Sequence, residues 1–194
     1  REFRVDELGF ARVPWPGHEG RSGLVWNGDS PKQRPGEGIG NNYFDLIPFG
    51  GDDFYLTVRI HLALRRMAAL ERLVAAHPQW NLPGPEAFYR ASEIEALISK
   101  IEKSAREHFW NPKTGRFAAS VDADGRMHDY GFTAVNLEAV ANGLTSGAQA
   151  RKIFQWLDGR RTVAGDTSQG ADIYHWRLSP RMTTRRNLDY YSFV

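Results

Sequence analysis

Asp52-Asp53-Phe54-Tyr55-Leu56-Thr57-Val58-Arg59-Ile60-His61-Leu62-Ala63-Leu64 decides the fold class. Two acids suited to capping a helix precede a run that is apolar nearly all round, through Phe54, Leu56, Val58, Ile60, Leu62 and Leu64. The run narrows to Met67, Leu70, Leu73 and Val74, so a long helix is predicted to about Ala76. A helix apolar on most sides is expected to be buried on most sides. His77 to Pro85 ends it with three prolines and a glycine.

Downstream the pattern changes. From Glu86 to about Phe109, the residues Ile94, Leu97, Ile98, Ile101, Ala105 and Phe109 fall on one helical face, and charges cover the rest. Trp110 to Tyr130 is a connection with turns at Asn111-Pro112-Lys113-Thr114-Gly115 and Asp124-Gly125, and 116–121 between them reads as a short strand of a hairpin. Phe132 to Ala141 is again apolar on most sides, and Gly143 ends it. Ser146-Gly147-Ala148-Gln149 is a capping box. It opens a helix with Ala150, Ile153, Phe154 and Leu157 inward, closed by Gly159. A polar-aromatic stretch follows from Arg160 to about Pro180.

Upstream, residues 1–51 hold ten of the nineteen glycines and five of the ten prolines, together with Trp15, Trp26, Tyr43, Phe44 and Phe49. This segment reads as an ordered, loop-rich region, and 52–194 as helical hairpins.

The order is therefore buried helix, amphipathic helix, long loop, twice over, which makes two αα-hairpins with the first helix of each inside. In a two-layer ring of such hairpins the inner helices run one way. The short connections 77–85 and 142–146 then lie at one end, and 36–51, 110–130 and 160–180 share the other. A third inner helix would start near Pro180. The fold class is all-α, built from long ordered loops, a short β-hairpin and αα-hairpins. The 194 residues read as a single domain that is part of a larger one, with ends at Arg1 and Val194 that look like cuts inside a longer protein.

Composition bounds the function. Hydrophobic residues are 41% and charged residues 25%, which excludes a disordered chain. No run approaches the roughly 20 apolar residues of a membrane helix, so no membrane partner is expected. Net charge is +2 with no broad basic stripe, so no nucleic-acid partner is expected. There is no cysteine, and the six histidines have no zinc-helix spacing, so neither a metal nor a cofactor is expected.

Three clusters carry candidate chemistry. In Gly36-Glu37-Gly38-Ile39-Gly40-Asn41-Asn42-Tyr43-Phe44-Asp45, the alternating glycines lack the strand and βαβ unit of a dinucleotide fold. Asp45 reads either as a general acid dried by its aromatic neighbours or as a loop acid accepting backbone N–H groups. In the second cluster, Asp122-Ala123-Asp124-Gly125 reads as a turn, since the other ligands of a calcium loop are missing. Asp129, in His128-Asp129-Tyr130-Gly131, reads as a helix cap or a site residue. The third cluster runs from Gly165 to Arg177. Asp166 and Asp172 beside Tyr174 and Trp176 suit a polyol, with carboxylates gripping hydroxyls and rings stacking on C–H faces. An Asp172–Arg177 ion pair in a structural loop reads equally well.

Gly38-Ile39-Gly40-Asn41-Asn42-Tyr43-Phe44-Asp45 resembles the acid-bearing loop of six-hairpin, (α/α)6-barrel glycoside hydrolases. Phe109 to Phe117 resembles their inter-hairpin turn and Gly131 to Ala139 one of their inner helices. Gly165 to Arg181 is similar to a loop of bacterial six-hairpin glycosidases. The resemblance implies a partial (α/α)6 toroid and an inverting glycosidase with Asp45 as general acid. It also implies a general-base carboxylate, for which Asp166 and Asp172 are fallback candidates and a position beyond Val194 is favoured. The substrate would be an oligosaccharide or glycoside. Asn41, Asn42, Tyr43, Phe44, Asp129, Tyr174, Trp176 and Arg177 would bind it, and the rest of the catalytic domain would be the protein partner. Two alternatives stand: a sugar isomerase or lyase on the same toroid, with His128 or His175 as base, and a non-catalytic carbohydrate-binding fragment.

Overall fold

Asp53 caps a helix, as its place before the apolar run predicts. Its Oδ1 accepts the Leu56 backbone N–H at 3.0 Å, and helix α1 runs Phe54–Ala76. The computed structural model describes residues 4–5, 8–13, 24–27, 30–33, 51–84, 90–121 and 125–166. Helix α2, Ala91–His108, returns along α1. Arg72 pairs with Glu95, His61 faces Glu102 at 3.1 Å, and Asp52 faces His108 at 2.9 Å. One set of numbers rises as the other falls, so the two helices are antiparallel. Ile94, Ile101, Ala105 and Phe109 are buried, on the face marked by their spacing.

Helices α3, Thr133–Ala141, and α4, Gly147–Leu157, form the second hairpin. The capping box is reciprocal: Ser146 Oγ accepts from Gln149 N at 3.2 Å, and Gln149 Oε1 accepts from Ser146 N at 3.0 Å. At the end of α3, Leu144 N bonds Ala139 O at 2.9 Å and Gly143 N bonds Val140 O at 3.1 Å. This closure needs Gly143 at φ 77°. Arg59 meets Glu138 at 2.6 Å and Arg65 donates to Asn142 O at 2.7 Å. Both series ascend, so the inner helices α1 and α3 lie side by side and run the same way.

The helices depart from the expected burial. Met67, Leu70 and Leu73 of α1 are exposed, Leu70 by 58%. The cause is length. Helix α3 has 9 residues against 23 in α1, about 13 Å against about 34 Å. It stops beside Arg65, so among the described residues it does not reach the distal half of α1. The 142–146 turn accordingly lies against the middle of α1, not level with the connection after Ala76. Leu137 of α3 is also exposed. In α4 the inward ring is Trp156, fully buried, while Phe154 is 47% exposed.

The chain before α1 contributes more than loop. It holds strands β1 (Arg4–Val5), β2 (Ala11–Val13), β3 (Leu24–Asn27), β4 (Ser30–Gln33) and β5 (Gly51–Asp53). The 110–130 connection adds β6 (Trp110–Asn111), β7 (Arg116–Phe117), β8 (Ser120–Val121) and β9 (Met127–His128). Strands β1-β2-β5-β8-β9 form one antiparallel sheet, and β3–β4 and β6–β7 are separate pairs. The single strand expected over 116–121 is thus two strands in two sheets. The switch comes where Ala118 N bonds Phe109 O and Ala119 N bonds His128 O, each at 2.8 Å. The fold is mainly α, two helical hairpins with a small antiparallel sheet.

The core sits where sheet and helices meet. Phe54 stacks on Phe117 at 4.5 Å and tilts against Phe109 at 4.9 Å, which in turn meets Phe10 at 4.9 Å. Among the described residues no helix is long and apolar enough to cross a membrane.

Candidate functional site

The sheet lies where the inner helices begin. Strand β5 delivers the chain into α1, and β9 delivers it through Asp129-Tyr130-Gly131 into α3. Asp53 is opposite Ser120, and Ser120 is opposite His128. Facing residues of adjacent strands share a face, so three polar side chains stand in one row. All three are buried. His128 Nδ1 lies 3.2 Å from the Tyr130 hydroxyl, whereas the Ser120 hydroxyl makes no hydrogen bond among the described residues. Strands β5 and β9 therefore lead into α1 and α3 at the same end, while residues 36–50, expected there from the hairpin pattern, lie outside the described residues.

Beside this row lies a buried cluster centred on Arg116, whose side chain is 0% exposed. Its Nε donates to Asp129 Oδ1 at 2.7 Å. Its Nη1 and Nη2 donate to the two oxygens of Asp166 at 2.6 and 3.0 Å, a bidentate pair. The guanidinium lies 4.7 Å from the Trp156 ring centroid, and Trp156 Nε1 donates to Asp166 Oδ2 at 3.2 Å. Burial works against the charge on Arg116, but the bonds and charges of Asp166 and Asp129 outweigh it and hold its pKa above the ordinary arginine value.

Asp129 is saturated. Besides Arg116 it accepts from Gly131 N at 3.1 Å, Thr114 Oγ1 at 2.6 Å and Asn111 Nδ2 at 3.0 Å. The turn at 111–115 therefore has a purpose beyond reversing the chain, since it aims Asn111 and Thr114 at this carboxylate. Asn136 of α3 fixes the adjoining strand, its Oδ1 accepting Phe117 N at 2.9 Å. Arg161 reaches over the same turn to the carbonyls of Thr114 and Gly115.

Of the residues singled out from sequence, Asp129 and Asp166 are thus brought together by one arginine. Both carboxylates are buried and spoken for, Asp166 with a side chain 0% exposed. A carboxylate bound by a guanidinium through both oxygens and by an indole at one of them is poorly placed to take a proton from water, so this geometry suits an anchor better than a base. Asp129 is not the cap of α3, since Phe132 holds that position with no side-chain bond. Asn41, Asn42, Tyr43, Phe44, Asp45, Asp172, Tyr174, Trp176 and Arg177 lie outside the described residues. Sequence reasoning missed Arg116 and Trp156, whose partners lie up to fifty residues away. The one available signal was an arginine inside an otherwise apolar short strand.

Among the described residues no group of three His, Asp or Glu side chains is placed to hold a metal ion. No family model, curated protein or solved structure matches the chain.

Proposed function

We propose that this chain is part of an (α/α)6 glycoside hydrolase that cleaves an oligosaccharide or glycoside with inversion. The observation that supports the reading is the parallel pair α1 and α3, both entered from strands of one sheet, β5 and β9. That end takes, in this reading, the loops that carry Asp45 and the aromatic residues. In this reading Asp45 protonates the leaving oxygen, its acidity held back by Tyr43 and Phe44. Tyr43, Phe44, Tyr174 and Trp176 stack on the sugar, while Asn41, Asn42 and Arg177 bind hydroxyls. Asp172 is the remaining candidate base in this chain, and an inverting pair needs roughly 6.5–9.5 Å between carboxyls for the attacking water. The rest of the toroid is the proposed protein partner.

Asp45→Asn in the full protein tests this. Lost turnover with retained sugar binding supports the acid role, and the anomer of the first product, read by NMR, tests inversion. Unchanged turnover removes Asp45 as the acid. Sugar binding by the unaltered protein without any turnover points to a binding fragment. A second reading, a sugar isomerase or lyase, is favoured by His128, which is held beside Ser120 and the Tyr130 hydroxyl at the same end. It requires His128→Gln to abolish turnover while Asp45→Asn leaves it intact.

A further inference from the structure

We propose that Trp80 is the platform of a second sugar-binding site, at the end of α1 away from the sheet. The proposal goes beyond the glycosidase reading and rests on it only for the use of such a site, which is to hold a polymer.

A short 3-10 turn, Pro78–Trp80, follows α1. It is held by its own bonds, with Trp80 N donating to His77 O at 3.0 Å and Asn81 N to Pro78 O at 3.1 Å. It closes on Asn81 at φ 49°, the one non-glycine residue in the left-handed region among the described residues. Trp80 stacks nearly flat on the His77 ring, with centroids 4.5 Å apart and planes 17° from parallel. Gln79 Nε2 donates to His77 Nδ1 at 3.0 Å and braces that ring in turn. The indole nevertheless stays 47% exposed. A ring held in place before its ligand arrives has little freedom left to lose on binding. Helix α1 separates Trp80 from the sheet by 23 residues, about 34 Å, so Trp80 is no part of the candidate site there.

The surroundings of the ring select the ligand. From Leu73 through Pro85 there is no Asp, Glu, Lys or Arg, so the turn brings no charge to grip a phosphate or a cation. It brings Gln79 and Asn81, two exposed amides that both donate and accept. The Asn81 side chain and the Trp80 Nε1–H make no hydrogen bond among the described residues. A flat apolar face edged by such groups matches a sugar, whose C–H face lies on a ring while its hydroxyls meet donors and acceptors at the rim. Proline-rich peptides dock in grooves lined by several aromatic rings, whereas this turn exposes a single indole.

Affinity electrophoresis of the full protein through gels containing soluble starch, xylan, mixed-linkage β-glucan or galactomannan tests the site and needs no turnover. Retardation by at least one of these polymers is expected. Trp80→Ala is expected to weaken it about tenfold, and Trp80→Tyr, which keeps a flat ring, to retain part of it. His77→Ala removes the brace and is expected to weaken it less than Trp80→Ala does. No retardation in any gel, or equal retardation of Trp80→Ala and the unaltered protein, overturns the site. An unchanged melting temperature in Trp80→Ala shows that its loss is not unfolding. Should that variant fail to fold, His77→Ala takes its place under the same criterion. A protein retarded through Trp80 that turns over no glycoside counts against the glycosidase reading and leaves the site standing. Turnover of glycosides without retardation does the reverse.

Discussion

The Trp156 indole lies 4.7 Å beneath the Arg116 guanidinium, so a ring from α4 covers a charge from β7. The same ring donates its only N–H to the carboxylate that neutralises that charge. Trp156→Phe keeps a ring under the cation and removes the donor. A buried hydrogen bond to a charged group contributes about 1.5–3 kcal/mol, and urea unfolding should show a loss of that order. A loss below about 0.5 kcal/mol, the scale of ordinary surface changes, would mean that the indole N–H contributes little.

Asp53 links sheet and helix, since it ends β5 and caps α1. Asp53→Ala should cost about 1–2 kcal/mol, at the upper end for a helix cap because the side chain is buried. Asp53→Asn, which still offers an oxygen to Leu56 N, should cost clearly less. Equal losses in the two variants, read from urea midpoints, would show that charge rather than capping matters there.

His61 should make the α1–α2 contact sensitive to acid. Its ring is fully buried, and burial holds its pKa below the ordinary 6.5 despite the opposing pull of Glu102. Arg65 and Arg106 push the same way as burial. Protonation would also place a second N–H on Nδ1, which is buried with no hydrogen-bond partner among the described residues. The unfolded chain takes up the proton more readily than the folded one. Stability from this residue is therefore complete above pH 6.5 and falls as the pH drops from there toward the lowered folded value. Thermal melts at a series of pH values should show this decline, and His61→Gln should flatten it across that window. An unchanged slope in the variant would assign the decline to other groups.

Two glycines separate backbone strain from steric clash. Gly125 has φ 83° with nothing within 4 Å of an added Cβ, while Gly9 has φ 90° and would place a Cβ 2.7 Å from Ile101 Cγ1. Gly125→Ala should cost about 1–2 kcal/mol from the left-handed backbone alone. Gly9→Ala should cost more, because Ile101 lies fully buried in the core and has little room to shift. The order of the two melting temperatures checks this.

Where sequence and structure agree, the cause is local. Asp53, the Ser146–Gln149 box, Gly143 and Gly159 act within four or five residues of themselves, and each stands where its pattern implies. The sheet was illegible because its strands are two to three residues long, too short to show alternation. Its pairing also joins residues as far apart as Asp52 and Val121. The exposed half of α1 was illegible for a related reason, since burial there depends on the length of α3. At the candidate site, Asp129 and Asp166 stood out as acids among small and aromatic neighbours. Their common partner did not, because a lone arginine in a short apolar strand carries no sign of partners 13 and 50 residues away.

The mismatch in length between α1 and α3 divides α1 into two dynamic regimes. Residues 54–65 lie between α2, α3 and the sheet, and their amides should exchange only when the whole unit unfolds. Residues 66–76 lie beyond the end of α3 and pack on α2 through contacts such as Arg72 with Glu95. Their amides should exchange through partial opening from the Ala76 end, at rates insensitive to mild denaturant. One continuous helix would then carry a rigid base that holds the sheet and a tip that breathes independently of it.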